Sequence, residues 1–552
     1  DLRSAKAGPA EIFVDEAAAV GLGFRHVNGQ TGEFHFPEVV GSGAALFDYD
    51  NDGDPDVLFV QSGKLVAAPG ETESFSARLF RNDLSARPDG SRSLRFTDVT
   101  AQSRIATSGY GMGVATGDYD GDGWVDFYVT SFGSAEMWRN NGDGTFANTT
   151  ARTGTNVPLW NSGASFVDFD RDGDLDLYVA TYVNWRLANH KPCKSKAGNR
   201  EYCGPQTYEG EPDRLFRNRG DGTFEDVTGA AGIFGEKGNG LGVIATDFNR
   251  DGWTDIYVAN DLQPNNLWLN QGDGTFRDEA ILAGCAVDRN GAAQASMGLE
   301  AADFDNDGDD DLFMTHLNTE NSMLYRNDGT GFFDDRAVES QLGRLNFGLT
   351  GFGTAFFDFD NDSWLDLFVA NGAVHEIEPL VRAGDPVPYH ELNKLFRNKG
   401  DGTFEDVSAG AGKVLELSEV SRGVAVGDVD NDGDPDIVLT NNNGPARLLM
   451  NQVGGASHWL GLRLLLPGGK RDALGAQVEI RRTPGPSLRR RVHTDGSYFS
   501  ARDPRVLFGL GDRAEPVTLR VTWPDGKGEE WQGIPVDRYS GLVQGTGTEV
   551  AS

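Results

Sequence analysis

The stretch DYDNDGDPD, residues 48–56, sets five aspartates at alternate positions of nine residues. Charges of one sign at that spacing repel one another, so the segment calls for a counter-charge. The pattern returns as DYDGDGWVD (118–126), DFDRDGDLD (168–176), DFNRDGWTD (247–255), DFDNDGDDD (303–311), DFDNDSWLD (358–366) and DVDNDGDPD (428–436). Seven copies in 552 residues make a repeat, and a repeat decides the architecture before any single element does.

Outward from each loop the surroundings repeat too. An apolar, Gly-rich run (GYGMGVATG, NGLGVIATD, GFGTAFFDF) precedes the loop, and an alternating run such as DLYVATY, DIYVAND or DLFVANG follows it. Then come LFRN and GDGTFEDVT, or variants such as MWRNNGDGTFANTT and LWLNQGDGTFRDEA. Short β runs parted by Gly, Asn and Asp turns read as four antiparallel strands per unit. Four strands taken seven times predict an all-β, seven-bladed β-propeller. The seventh unit stops at LLMNQV (448–453) without its own TFEDVT, while the chain opens with EIFVDEAAAVGL, whose Phe13 and Asp15 supply the missing Phe and Asp. The N-terminal strand is therefore expected to complete the last blade and hide edges that would otherwise be free to pair. Spacings of 70, 50, 79, 56, 55 and 70 residues between first aspartates place the longest insertion between the third and fourth loops. Residues 1–453 are read as the propeller and 454–552 as a small C-terminal β domain.

Oxygen ligands at loop positions 1, 3 and 5, a turn residue at 6 and a carboxylate at 9 form the cage a hard cation requires, and its size suits calcium better than magnesium. The ligands expected are Asp48, Asp50, Asp52 and Asp56; Asp118, Asp120, Asp122 and Asp126; Asp168, Asp170, Asp172 and Asp176; Asp247, Asn249, Asp251 and Asp255; Asp303, Asp305, Asp307 and Asp311; Asp358, Asp360, Asp362 and Asp366; and Asp428, Asp430, Asp432 and Asp436. About five to seven calcium ions per chain follow, in a structural role. Asn249 replaces a carboxylate in the fourth loop and Ser363 the turn Gly in the sixth, so those two sites are expected to be weaker.

The formal charge is −35, but after residue 452 there are 14 Lys+Arg against 11 Asp+Glu. The acidity lies in the repeats, and this argues against a nucleic-acid partner, which needs a basic face. Arg481, Arg482 and Arg489 to Arg491 form a basic group in the tail, read as a solvated face or one docked on the acidic propeller. No apolar run reaches membrane-spanning length, and a monomer is the simplest reading. Cys193 and Cys203 bracket the polar insertion CKSKAGNREYC, favouring a disulfide and hence a secreted or periplasmic protein whose signal peptide has been removed. Three reduced thiols are the alternative; Cys285 is read as a buried free thiol.

The quoted units resemble the FG-GAP/VCBS propeller repeats of integrin alpha subunits and bacterial extracellular proteins. HWLGLRLLLPGGKRDALGAQVEI, VHTDGSYFSARDPRVLFGLGD and VTLRVTWPDGKGEEWQGI, within 456–545, resemble the ASPIC/UnbV domain. A propeller followed by that domain is similar to the arrangement of the cartilage acidic protein 1 homologues, over nearly the whole chain.

In such a propeller the aspartate loops share one face. The opposite face then carries His26, His35, His190, His316, His375 and His390, with Glu38, Tyr110, Trp160, Tyr182, Trp185, Asn260, Asp261, Asn318, Glu320 and Glu376. Polar and aromatic groups converging on the axis suggest a concave site. The first reading is recognition of a protein, glycan or small-molecule ligand on that face. The alternative is a lyase, isomerase or cyclase working in a central funnel, with His35, His316 or His375 as acid/base and Glu38 or Tyr110 as partner. No GxSxG elbow or HExxH helix is present. Each histidine also has a plain structural reading: His35 packs beside Phe34 and Phe36, and His375 caps a turn. Two or three of these histidines with a carboxylate would make an additional transition-metal site, although no HxH spacing appears.

Overall fold

A computed structural model describes residues 11–66, 75–86, 92–195, 198–233, 237–482 and 485–550. These residues form seven four-stranded antiparallel sheets, then a five-stranded and a three-stranded sheet nearer the C-terminus. The first strands of the seven blades are Ala44–Phe47, Tyr110–Gly117, Asn161–Val167, Gly240–Thr246, Leu299–Ala302, Gly351–Phe357 and Ser421–Gly427. They contact one another in cyclic order, the last against the first, so they line the axis of a closed ring.

Close approach at the axis explains the Gly-rich runs. A Cβ on Gly298 would lie 1.9 Å from the carbonyl oxygen of Phe352 in the next blade, and one on Gly353 would lie 2.4 Å from that of Arg422. Only glycine lets neighbouring backbones meet at such distances. Further out, the blades pack through apolar faces, such as Tyr178 and Leu215 of the third against Val243 and Val258 of the fourth.

The N-terminal strand closes the ring as expected. Phe13–Asp15 pairs with Arg447–Asn451, setting Phe13 opposite Asn451 and Asp15 opposite Leu449. Phe13 is fully buried, and Arg447 reaches Asp15 at 2.9 Å.

A second device stitches the ring, and sequence reasoning missed it. The Asn that ends each third strand sends its Nδ2 to a carbonyl in the aspartate loop of the preceding blade. Asn140 donates to Tyr49 O at 2.8 Å, Asn218 to Tyr119 O at 2.7 Å, Asn270 to Phe169 O at 2.8 Å and Asn327 to Phe248 O at 2.9 Å. Asn398 donates to Phe304 O at 2.9 Å and Asn451 to Phe359 O at 2.8 Å; Asn82 closes the circle on Val429 O of the last blade at 2.7 Å. That is why the RN of LFRN recurs with its Asn unvaried.

The C-terminal sheets have their own core, including Leu460, Val478, Phe508 and Trp523, and they dock on the aspartate-loop face. Arg463 pairs with Asp48 at 3.0 Å, Tyr539 OH donates to Asp428 Oδ2 at 2.9 Å, and Arg505 Nη2 to Asp428 O at 2.8 Å. Their most intimate contact is a segment that enters the ring. Leu299 N–H donates to Ser497 O, Val114 N–H to Phe499 O, each at 3.0 Å, and Ala501 N–H to Ala44 O at 2.9 Å. Tyr498 and Phe499 are buried at the axis, with Phe352 edge-on to Tyr498. Arg422, fully buried, lies 3.8 Å over the Phe352 ring and donates to Val39 O, Gly372 O and Ser421 O. The axis is thus filled by aromatic and Arg side chains, some supplied by the tail, which answers a question the sequence leaves open: whether the C-terminal domain covers the centre of the ring.

Candidate functional site

In the first aspartate loop, Asp52 N–H and Gly53 N–H donate to the two oxygens of Asp48 at 3.0 and 3.1 Å. Asp54 N–H donates to Asp52 Oδ1 at 2.9 Å. Asp56 takes Tyr49 N–H at 3.0 Å on one oxygen and Asn82 N–H at 2.7 Å on the other, pinning the loop to the second and third strands. Asp50 keeps a buried oxygen with no partner, as do Asp120, Asp360 and Asp430 at the same position of their loops. The turn uses two left-handed residues: Gly53 (φ 94°), which the sequence predicts, and Asn51 (φ 58°), which it does not. Asn is among the few non-Gly types at home there, and Asn306, Asn361 and Asn431 repeat it.

Carboxylate oxygens of Asp48, Asp50 and Asp56 lie within 4.8 Å of one another, as do those of Asp118, Asp120 and Asp122, of Asp168, Asp170 and Asp176, of Asp303, Asp305 and Asp311, and of Asp358, Asp360 and Asp366. Burial and then the neighbouring carboxylates push Asp50 up to about 6 and, in the seventh loop, Asp430 up to about 7. Burial foremost raises Asp56, Asp126, Asp311, Asp366 and Asp436 well above the usual carboxylate range. Third-strand arginines meet the outer oxygens: Arg326 reaches Asp305 and Asp307, each at 2.6 Å, while Arg139 pairs with Asp120 and Asp122 and Arg397 with Asp360. Orphaned inner oxygens among crowded carboxylates fit a hard divalent cation held by oxygen. In the fourth loop Asn249 bonds within the loop, its Nδ2 to Asp251 Oδ2 at 3.0 Å. Ser363 takes the strained turn of the sixth at φ 83°, and its hydroxyl donates to Gly509 O of the docked tail at 3.0 Å.

On the opposite face the sequence candidates separate. His35 Nδ1 lies 3.1 Å from Glu38 Oε1, on the short turn Pro37–Val40. Tyr202 OH donates to Glu38 Oε2 at 3.3 Å and Thr31 Oγ1 to Oε1 at 3.4 Å. Glu38 is 1% exposed, and burial raises its carboxyl against the pull of His35. Phe34, just before His35, holds a left-handed φ of 59°, a strained conformation for a bulky residue.

The insertion of the third unit supplies the rest. Cys193 and Cys203 form a disulfide, and Cys285 is free and buried. Behind the bridge, Tyr202 faces Glu38 while Glu201 pairs with His375 at 3.2 Å. His375 is half-exposed. His190 stacks edge-on to His35 with ring centroids 5.0 Å apart; its Nε2 meets Glu33 O at 3.2 Å, and its Nδ1 is buried without a partner. Burial and the nearby His35 lower the His190 pKa. No tight spacing in the sequence announces this convergence of residues 33–38 with His190, Glu201, Tyr202 and His375.

Tyr110 and His316 do not join it. Tyr110 OH donates to Asn28 O at 2.9 Å and Pro37 O at 3.3 Å, supporting the Glu38 turn from beneath. His316 is 2% exposed, with Nδ1 on Asn321 O at 2.8 Å and Nε2 on Ser296 Oγ at 3.1 Å, and burial lowers it to about 4. His26 is likewise enclosed, between Ser62 Oγ and Asn443 N–H, and pushed down to about 3 by burial. His26 and His316 are therefore core histidines; of the alternative acid/base candidates, His35 with Glu38 and the half-exposed His375 lie on the insertion side, while His316 and Tyr110 stand apart from them.

Six stretches match the family described as FG-GAP-like repeat, at residues 48–129, 118–179, 204–258, 247–314, 303–369 and 381–439, and residues 467–549 match the one described as ASPIC and UnbV. Cartilage acidic protein 1 of Homo sapiens is 28% identical over 328 residues, 58% of this chain and 46% of that protein. The Xenopus tropicalis protein of that name is 25% identical over 497 residues, 88% of this chain and 61% of that one. The chain thus spans less than two thirds of the length of these relatives. Among solved structures, an Agrocybe aegerita lectin specific for non-reducing terminal N-acetylglucosamine is 15% identical with a TM-score of 0.39, over 73% of this chain and 86% of that one. BBS1N in complex with ARL6DN is 8% identical with a TM-score of 0.42, over 80% and 98%. Likenesses so remote carry no functional argument. No helix among the described residues is long and apolar enough to cross a membrane.

Proposed function

The chain belongs to the FG-GAP-like repeat family, and on that premise we propose a secreted or periplasmic propeller, stabilised by calcium in its aspartate loops, that recognises a protein, glycan or small molecule on the opposite face. The supporting observation is that three blades bring polar groups to one disulfide-pinned insertion. Tyr202 meets the Glu38–His35 pair of the first unit, and Glu201 meets the half-exposed His375 of the sixth. The unpartnered Nδ1 of His190 and the strained Phe34 lie beside it. Strain and unmet hydrogen-bonding capacity gather where a ligand is contacted. The division near residue 453 belongs to the same reading, with the tail acting as an axial plug that makes the ring rigid.

Calcium at the loops would supply positive charge and oxygen coordination; the Asp48-type and Asp56-type carboxylates orient the turn, and the Asp50-type oxygens remain to meet the ion. To test recognition, immobilised full-length protein in calcium is probed with glycan and secreted-protein panels. A double variant, Tyr202→Phe with His375→Ala, and an outer-rim control, Arg277→Ala, are run beside it. A ligand held by wild type and control but lost by the double variant supports the proposal. Ligands that bind all three alike, or no ligand at all, count against it.

A further inference from the structure

Between the propeller and the docked tail lies a cavity of about 80 Å³, lined by Asp303, Asp358, Arg490, Arg491, Arg502 and Tyr539 among others. That volume exceeds what a single water needs. Arg490, on the strand Leu488–Arg491, uses only Nη1, which donates to Arg489 O at 2.7 Å. Its Nε and Nη2, the edge that grips an oxyanion with two parallel bonds, are buried and have no hydrogen-bond partner. The same two atoms of Arg491 are also buried and unbonded, although Asp310 lies 3.6 Å from its Nε and Asp495 3.3 Å from its Nη1. Arg502 adds charge nearby, its closest acidic partner being Glu300 at 3.5 Å. Other carboxylates on the wall are only in part engaged elsewhere: Asp303 and Asp358 both act on the Arg490 charge, and one Asp303 oxygen is buried without a hydrogen-bond partner. Asp503 pairs with Arg505 at 2.7 Å, Asp428 takes Tyr539 OH at 2.9 Å, and Asp303 and Asp358 hold the first position of two aspartate loops. A buried guanidinium with an open fork is a costly arrangement unless a ligand fills it.

We propose that this cavity binds one small oxyanion of the sulfate class, gripped by the Nε/Nη2 edge of Arg490 and flanked by Arg491 and Arg502, joining tail to propeller. The anion becomes a structural ligand of the assembled chain, as calcium is of the loops. Its site is separate from the recognition face and stands or falls independently of it.

The test uses full-length protein with calcium constant. Crystals soaked in sodium selenate are expected to show an anomalous selenium peak within hydrogen-bond reach of Arg490 Nε and Nη2. Waters bridging Arg490 to Asp303 or Asp358, or a cation in that place, would overturn the proposal. In solution, thermal midpoints are compared in sulfate, selenate, chloride and gluconate at matched ionic strength. Wild type is expected to gain a few degrees in sulfate and selenate over gluconate, Arg490→Lys to keep part of the gain, and Arg490→Met to lose it. A gain equal in wild type and Arg490→Met is a general salt effect and refutes the site; chloride matching sulfate refutes the oxyanion assignment. If Arg490→Met does not fold, the selenate map on wild type decides.

Discussion

Replacing Asn218 by Ala removes one link of the interblade stitch together with two bonds that anchor the Asn within its own blade. Asn218 is 2% exposed; its Nδ2 donates to Tyr119 O of the preceding blade at 2.7 Å and to Leu175 O of its own at 3.0 Å, and its Oδ1 accepts Gly220 N–H at 3.0 Å. Two buried bonds and one half-buried, at about 1 kcal/mol net each, plus the cost of leaving the interblade carbonyl unmet, give a loss of about 3–5 kcal/mol. Followed by tryptophan fluorescence in urea at fixed calcium, with a slope of about 3 kcal/mol per molar, the midpoint should fall by roughly 1–1.7 M. Asn218→Asp should lose at least as much, because a carboxylate oxygen would then face the carbonyls of Tyr119 and Leu175 in place of a donor. A midpoint shift under about 0.3 M in Asn218→Ala, or an Asp variant as stable as wild type, would refute the stitch as a stabilising device.

Three further outcomes follow from the geometry. Burial raises Glu300 from an ordinary 4.5 to about 7. The folded state therefore holds a proton that the unfolded chain releases, and stability falls as pH rises between those values. Glu300→Gln should flatten that decline by up to about 3 kcal/mol, measured as unfolding free energy against pH, whereas an unchanged slope contradicts the assignment. His316, held near 4, should stay neutral, so its ring resonances in NMR should not move above about pH 5; titration near 6.5 would show it reaching solvent. Cys203→Ser should cost the insertion roughly 2–3 kcal/mol of local stability, seen as faster proteolysis within 191–211 with little change in propeller melting. Unchanged cleavage would mean that Tyr202 and Glu201 are positioned without the bridge.

The ring was legible because its signals are local and repeated. Seven aspartate loops mark the hairpins, and a missing TFEDVT at one end matched by Phe13 and Asp15 at the other marks the closure. What escaped depends on partners distant in sequence. The role of Asn in LFRN appears only when a neighbouring blade brings its carbonyl, as Tyr119 does for Asn218 across 99 residues. The axial plug was hidden because Ser497 and Phe499 adopt left-handed φ values of 57° and 58°, an uncommon conformation for Phe that leaves no trace in composition. Arg422 stands six residues before its loop's first aspartate, where the other units carry Ser42, Met112, Ser162, Leu241, Met297 and Phe352, a signal present in SRGVAVG but uninterpretable without Phe352 and Val39 around it. Of the opposite face, His35 with Glu38 was recoverable from its three-residue spacing, but the pairings of Glu38 with Tyr202 and of Glu201 with His375 were not.

The central claim concerns the aspartate loops and is tested most directly by elemental analysis of extensively dialysed protein, expressed per chain. The account predicts about five to seven calcium ions, and a melting temperature that falls when a chelator removes them. Calcium near zero in folded protein, with no response to the chelator, would contradict it.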